Sequence, residues 1–156
     1  MKKMKKIALS LLTVVLAAVL IFGLCSCNQP EAPEGSAEGS AINRVGLWAD
    51  ADYVEDTTFG SGAKTVVVEV KVGEESVTFT IKTDKTILGD ALIEHNLIAG
   101  EEGPYGLYIK KVNGITADYD IDQSYWGFYK NGEYMMSGVD TTEISDGEHY
   151  ELVYTK

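Results

Sequence analysis

Three aspartates alternate with other residues at Asp118, Asp120 and Asp122, and shortly after them come Tyr125, Trp126, Gly127, Phe128 and Tyr129. Carboxylates spaced this way in a turn can aim at one centre, and calcium takes six to eight oxygens. The spacing is that of the first three ligands of an EF-hand loop. The rest of that loop is missing, because Gln123 stands where its glycine belongs and Tyr129 where its bidentate glutamate belongs. Two readings stay open: a short Asp-x-Asp-x-Asp calcium site completed by Asp140 or a carbonyl, and a solvated acidic turn.

The ring-rich run reads as a strand. Alternation sends Trp126 and Phe128 to one face and Tyr125, Gly127 and Tyr129 to the other. Trp126 and Phe128 belong in a core. Two tyrosines flanking a glycine notch would give a flat ligand or a peptide a surface to lie on, unless Tyr53, Tyr134 or the N-terminal arm covers them. The loop 103–106, with Tyr105, is the neighbouring candidate for ligand contact. Other chemistry is sparse. His95 and His149 are the two histidines, and no His-x-x-x-His occurs. Ser61 and Lys64 match Ser-x-x-Lys without the rest of such a site. Gly60-Ser61-Gly62 precedes a strand rather than a helix, so it is no phosphate loop of the P-loop type. With no nucleophile–base pair and no open metal site, the chain is expected not to be an enzyme.

The elements that must position these residues follow from periodicity. Residues 66–72 and 77–82 read as a hairpin. Asp84 is placed to cap a helix beginning near Lys85, with Ile87, Leu88, Ala91 and Leu92 on one face and Asn96 or Gly100 ending it. Strands follow at 107–112, 125–130, 133–136 and 150–154, with tight turns at Asn113-Gly114 and Asn131-Gly132. Trp48, Tyr53 and Phe59 lie in an irregular arm or edge strand whose rings pack on the sheet. The order predicts an α+β fold of the β-grasp kind, with one helix on a mostly antiparallel sheet of four to five strands.

The N-terminal end carries a different message. Lys2, Lys3, Lys5 and Lys6 precede a charge-free run over residues 7–24, and Leu24-Cys25-Ser26-Cys27 fits a bacterial lipobox with Cys27 as the acylated residue. Residues 1–26 are therefore expected to be a lipoprotein signal peptide. Residues 27–41 form the lipidated cysteine and its tether, and residues 42–156 form one domain. The stretch 28–41 is rich in Pro, Gly, Ser and Glu and lacks aromatic residues, so it cannot bury enough to order itself; it spans roughly 20 Å. Loss of the four lysines leaves nine basic residues against 24 acids, a net charge of −15. Such a chain repels nucleic acid and anionic lipid headgroups, so its hold on the extracytoplasmic face of the membrane comes from the lipid. The mature chain would keep no thiol beyond the acylated one.

"TILGDAL", "VNGI", "YWGFYKNGE" and "GVDTTEISDGEHYELVYTK", in this order and spacing, resemble a bacterial domain family of unknown function that is similar to the C-terminal domain of transcobalamin and intrinsic factor. The likeness covers residues 65–154. It implies a β-grasp-like fold and, in the vertebrate relatives, contact with a corrinoid. Those relatives also carry a large helical domain that completes the pocket, and this chain has no room for one. Two functions follow. One is a surface-anchored ligand-binding or transport-accessory lipoprotein, with a corrinoid-type small molecule as ligand and a membrane transporter as partner. The other is a protein-interaction or adhesion module stabilised by calcium.

Overall fold

The computed structural model describes residues 41–156. The signal segment 1–26, Cys27 and the tether up to residue 40 lie outside the described residues. After a 3₁₀ turn at Gly46–Asp50 the elements are β1 (Thr57–Gly60), β2 (Lys64–Val72), β3 (Glu75–Thr83), α1 (Leu88–Glu94), β4 (Ile98–Gly103) and β5 (Gly106–Val112). They continue with β6 (Ile115–Thr116), α2 (Tyr119–Asp122), β7 (Tyr125–Lys130), β8 (Glu133–Tyr134) and β9 (His149–Thr155).

The domain is mostly β, with few helices. Its larger sheet has six strands in the order β1-β3-β2-β9-β7-β8, and a smaller one has the order β4-β5-β6. Both differ from the expected single, mostly antiparallel sheet of four to five strands. The larger sheet is mixed, because β1 runs parallel to β3 and β9 runs parallel to β2. The hairpin β2–β3 forms because Val66, Val68 and Val70 alternate inward against Val77, Phe79 and Ile81, the period-2 pattern of a half-buried sheet. Asn113-Gly114 and Asn131-Gly132 take positive φ at both residues, which makes them the type I′ turns their sequence predicts. Asn113 does more: it is fully buried, and its side chain takes the Tyr53 N–H at 2.9 Å and donates to the Tyr53 carbonyl at 2.8 Å, pinning the arm.

One core gathers the inner face of the six-stranded sheet, Leu88, Ala91 and Leu92 of α1, and Ile98, Ile109, Val112 and Ile115 of the smaller sheet. The arm joins it through buried Trp48, and Phe59 packs on Phe79 with ring centroids 5.9 Å apart. The cover over the sheet is therefore a short helix plus a small second sheet. Helix α1 begins later than expected, and Asp84 does not cap it. The Leu88 and Gly89 N–H groups donate instead to the carbonyls of Thr142 at 2.9 Å and Val139 at 2.8 Å, while Asp84 accepts the Ala63 N–H at 2.9 Å. Asn96 ends the helical segment with φ +55°. Among the described residues no helix is long and apolar enough to cross a membrane.

Candidate functional site

Strand β7 divides as alternation requires. Trp126 and Phe128 are buried, Phe128 stacking on Tyr150 at 5.8 Å and Trp126 meeting Tyr154 edge-on at 5.5 Å. On the other face Tyr125 is exposed, but the notch expected at Gly127 is filled. A Cβ on Gly127 would lie 3.0 Å from Cε2 of Tyr129, whose ring also meets Tyr134 edge-on at 5.3 Å. The absence of a side chain at Gly127 thus makes room for Tyr129 itself, not for a ligand between two rings.

Beside this pair the same sheet face is charged. Tyr129 pairs across with Glu151, and Glu151 with Glu69. Lys71 lies 2.6 Å from Glu151 and 3.1 Å from Glu69, and His149 is 3.7 Å from Glu69. The hydrogen bond to Glu151, with help from Glu69, holds the Lys71 ammonium above the ordinary lysine range against the opposing effect of burial. The Lys71 hydrogen bond in turn holds the Glu151 carboxyl low. The Gly132 N–H also donates to Glu151 at 2.8 Å. The acid–base groups of this face satisfy one another, which makes the network a structural clasp across β2, β9 and β7.

The aspartate turn is likewise committed. Asp118 caps α2 by accepting the Asp120 N–H at 3.0 Å and receives Lys110 at 3.4 Å. Asp122 accepts from Lys156 at 2.7 Å, from the Ser124 hydroxyl at 2.5 Å and from the Ser124 N–H at 3.1 Å, which brings its carboxyl down to about 2. Asp118 and Asp122 thus serve as a cap and as ion-pair partners, while Asp120 between them is exposed. Among the described residues no group of three or more His, Cys, Asp or Glu side chains could hold a metal ion. Asp140 stands in a different place, in the loop after β8. A Cβ on Gly106 would lie 2.5 Å from its Oδ2 and one on Gly138 only 2.3 Å from its Oδ1, and Oδ1 is buried with no hydrogen-bond partner.

That contact brings two loops together. Gly106 follows Tyr105, which sits at the tip of the β4–β5 hairpin with 99% of its surface exposed. Gly138 follows Met136 by two positions, and Met136 is 95% exposed. The Asp140 carboxylate thus lies close against both glycines, one beside the hairpin tip and one in its own loop. The result is one end of the domain where two large apolar side chains stand in water. Sequence reasoning named Tyr105 and Asp140 for separate reasons and gave Met136 no role. A cleft of about 380 Å³ opens elsewhere, between the β1–β2 loop and the residues flanking α1.

The fold is that of a small, mixed-sheet α+β domain with two exposed apolar side chains on neighbouring loops and a separate cleft. A family model for a domain of unknown function, DUF4430, matches residues 84–156. A protein from Ruminococcus gnavus ATCC 29149, described as a "putative metal binding protein", is 38% identical with a TM-score of 0.57; the match covers 97% of that chain and 60% of this one. The chain belongs to the DUF4430 family. Haptocorrin in complex with Cbi is also similar, at 23% identity and a TM-score of 0.46 over 63% of this chain and 26% of haptocorrin; likeness at that level says nothing about a ligand here. No curated protein matches the chain.

Proposed function

We propose that this chain is a non-enzymatic binding lipoprotein, held on the extracytoplasmic face of the membrane by a lipid on Cys27, which takes its ligand at the hairpin end. The observation that carries this reading is that Tyr105 and Met136, both almost fully exposed, lie on two loops that approach the same carboxylate, Asp140. Single exposed apolar residues are ordinary, but large ones gathered on a fixed end mark interaction sites. The relative described as a "putative metal binding protein" supports a binding role over a catalytic one. A metal centre built from the Asp118–Asp122 carboxylates is not part of this reading, since Asp118 and Asp122 are already paired.

A flat ligand with a broad ring face suits a tyrosine and a methionine better than a small polar one, and a corrinoid is the first to test. Calorimetric titration of the detergent-extracted full-length protein with cobalamin and cobinamide should give binding near ~10⁻⁶ M, weakened at least tenfold by Tyr105→Ala. No heat with either compound would remove the corrinoid. A membrane protein recovered by wild type but not by Tyr105→Ala would then point to the alternative, a protein-interaction module that uses the same end. Intact-mass measurement of membrane-extracted protein should show a diacylglyceryl adduct on a chain starting at Cys27, and retention of residues 1–26 would refute the anchor.

A further inference from the structure

We propose that the cleft between the β1–β2 loop and the residues flanking α1 binds a small molecule through an oxyanion, either a carboxylate or a phosphate. None of the residues of the hairpin end lines it. Its volume of about 380 Å³ falls in the range of small-ligand sites.

The cleft is shaped by close backbone approach. A Cβ on Gly60 would lie 2.1 Å from the Lys82 carbonyl oxygen, and one on Gly62 would lie 2.1 Å from the Thr83 carbonyl carbon. Glycine at both positions lets the loop rest directly on the end of β3, and Gly60 has φ +70°. The Ala63 N–H bond to Asp84 at 2.9 Å fastens the loop there. One wall is the His95 ring, stacked on Phe59 at 5.0 Å with 19° between planes. These contacts hold the walls before any ligand arrives, which lowers the ordering cost of binding.

The charge distribution names the ligand. Acids outnumber basic residues 24 to 13 in this chain, and several lysines among the described residues are neutralised in place. Lys71, Lys110, Lys130 and Lys156 each have a carboxylate within 3.2 Å. The cleft is different. Among the described residues Lys82 pairs with no carboxylate, and Lys85 reaches Glu94 only at 3.9 Å. Two acids line the cleft as well: Asp84 is turned to the Ala63 N–H and Glu94 faces Lys85, which leaves Lys82 as the lining cation without a carboxylate partner among the described residues. Lys64 adds a third ammonium at the rim, where it donates to the Lys85 carbonyl at 3.1 Å. The exposed Ser61 hydroxyl stands between the two glycines as a further donor. Ammonium groups with open donor positions and a hydroxyl are the partners an oxyanion takes, through charge-assisted hydrogen bonds.

Amide NMR spectra of the full-length protein in detergent micelles test this, with inorganic phosphate and citrate as probes and sodium chloride at matched ionic strength as reference. The expected result is saturable shifts at Gly60, Ser61, Gly62 and His95 with one or both probes and none with chloride. The tighter of the two tells phosphate from carboxylate. Lys82→Gln should weaken binding about tenfold or more, and Lys82→Arg should keep most of it. Lys111→Gln, at an exposed position on β5, should leave it unchanged. The Lys82 side chain is exposed, so the urea midpoint of its variants should match wild type. No saturable shift with either probe at roughly 20 mM, two decades above the dissociation constant a built site of this kind should reach, overturns the proposal. So does an equal loss in Lys111→Gln, which would reduce the effect to general charge.

Discussion

Glu148 offers the sharpest test of how the sheet is closed. It sits at the entry to β9, and its carboxylate joins three elements. It receives the Lys130 ammonium at 2.6 Å from the end of β7, the Ser145 N–H at 2.8 Å from the preceding turn, and the Tyr150 hydroxyl from β9 itself. Burial pushes this carboxyl up, but the three donors and the Lys130 charge outweigh burial and bring it from 4.5 to about 2. At ~1.36 kcal/mol per unit that difference is on the order of 3 kcal/mol. The side chain keeps 20% of its surface, so solvent screening reduces the contribution to ~1–2 kcal/mol. The folded carboxyl is more acidic than the unfolded one. Its stabilisation is therefore complete above pH 4.5 and is lost as pH falls toward 2. Glu148→Gln should cost ~1–2 kcal/mol in urea unfolding near neutral pH. Near pH 2 the gap should largely close, because about half of the wild-type carboxyls are then protonated and little of the linkage term is left. A gap of the same size at both pH values would refute the electrostatic account and leave only shape and packing.

Trp126→Ala should cost ~3–5 kcal/mol, as large-to-small core changes do, whereas Tyr125→Ala on the outer face should cost far less; equal losses in thermal unfolding would mean that both faces are buried. Trp126→Phe should cost well under half of Trp126→Ala, because it also removes an indole N–H that is buried without a partner. Asn113→Ala removes both hydrogen bonds to the Tyr53 backbone and a residue suited to φ +48°; it should cost ~2–3 kcal/mol and expose the arm to limited proteolysis, and an unchanged cleavage pattern would show that the arm is held elsewhere. Calcium at about 10 mM, well above the range of extracellular modules, should leave the melting temperature unmoved, since Asp118 and Asp122 are already paired; a rise abolished by Asp120→Asn would reinstate the site.

The valine-rich hairpin, the type I′ turns and the inward set of β7 were legible because each is local. A period of two or an Asn-Gly pair carries its own signal. Strand β4 was not: Ile98–Gly103 has one buried residue out of six, so no alternation exists to read, and its pairing with β5 alone makes it a strand. The helix start was misplaced because its first donors are satisfied by carbonyls of Val139 and Thr142, some fifty residues away in sequence, rather than by Asp84. Gly127 reads as a notch in one dimension and becomes a seat for Tyr129 only once the side chain folds back. Neither the hairpin end nor the cleft has a motif. Gly106 and Gly138 approach one carboxylate, and Gly60 comes to rest on Lys82 because β1 lies parallel to β3, which no spacing in the sequence announces.

The position of β9 has a consequence for how such a chain is made. It is the last strand in the sequence, yet it lies between β2 and β7, with parallel partners about eighty residues earlier and antiparallel ones about twenty-five residues earlier. Until residues 149–155 are available, the larger sheet exists as separate halves with β2 and β7 both lacking a neighbour. Contacts of such long sequence separation form late and slowly. A nascent chain therefore keeps the two halves of this sheet apart until β9 has emerged. By the same logic, a premature stop that removes β9 should yield a protease-sensitive chain rather than a shortened domain.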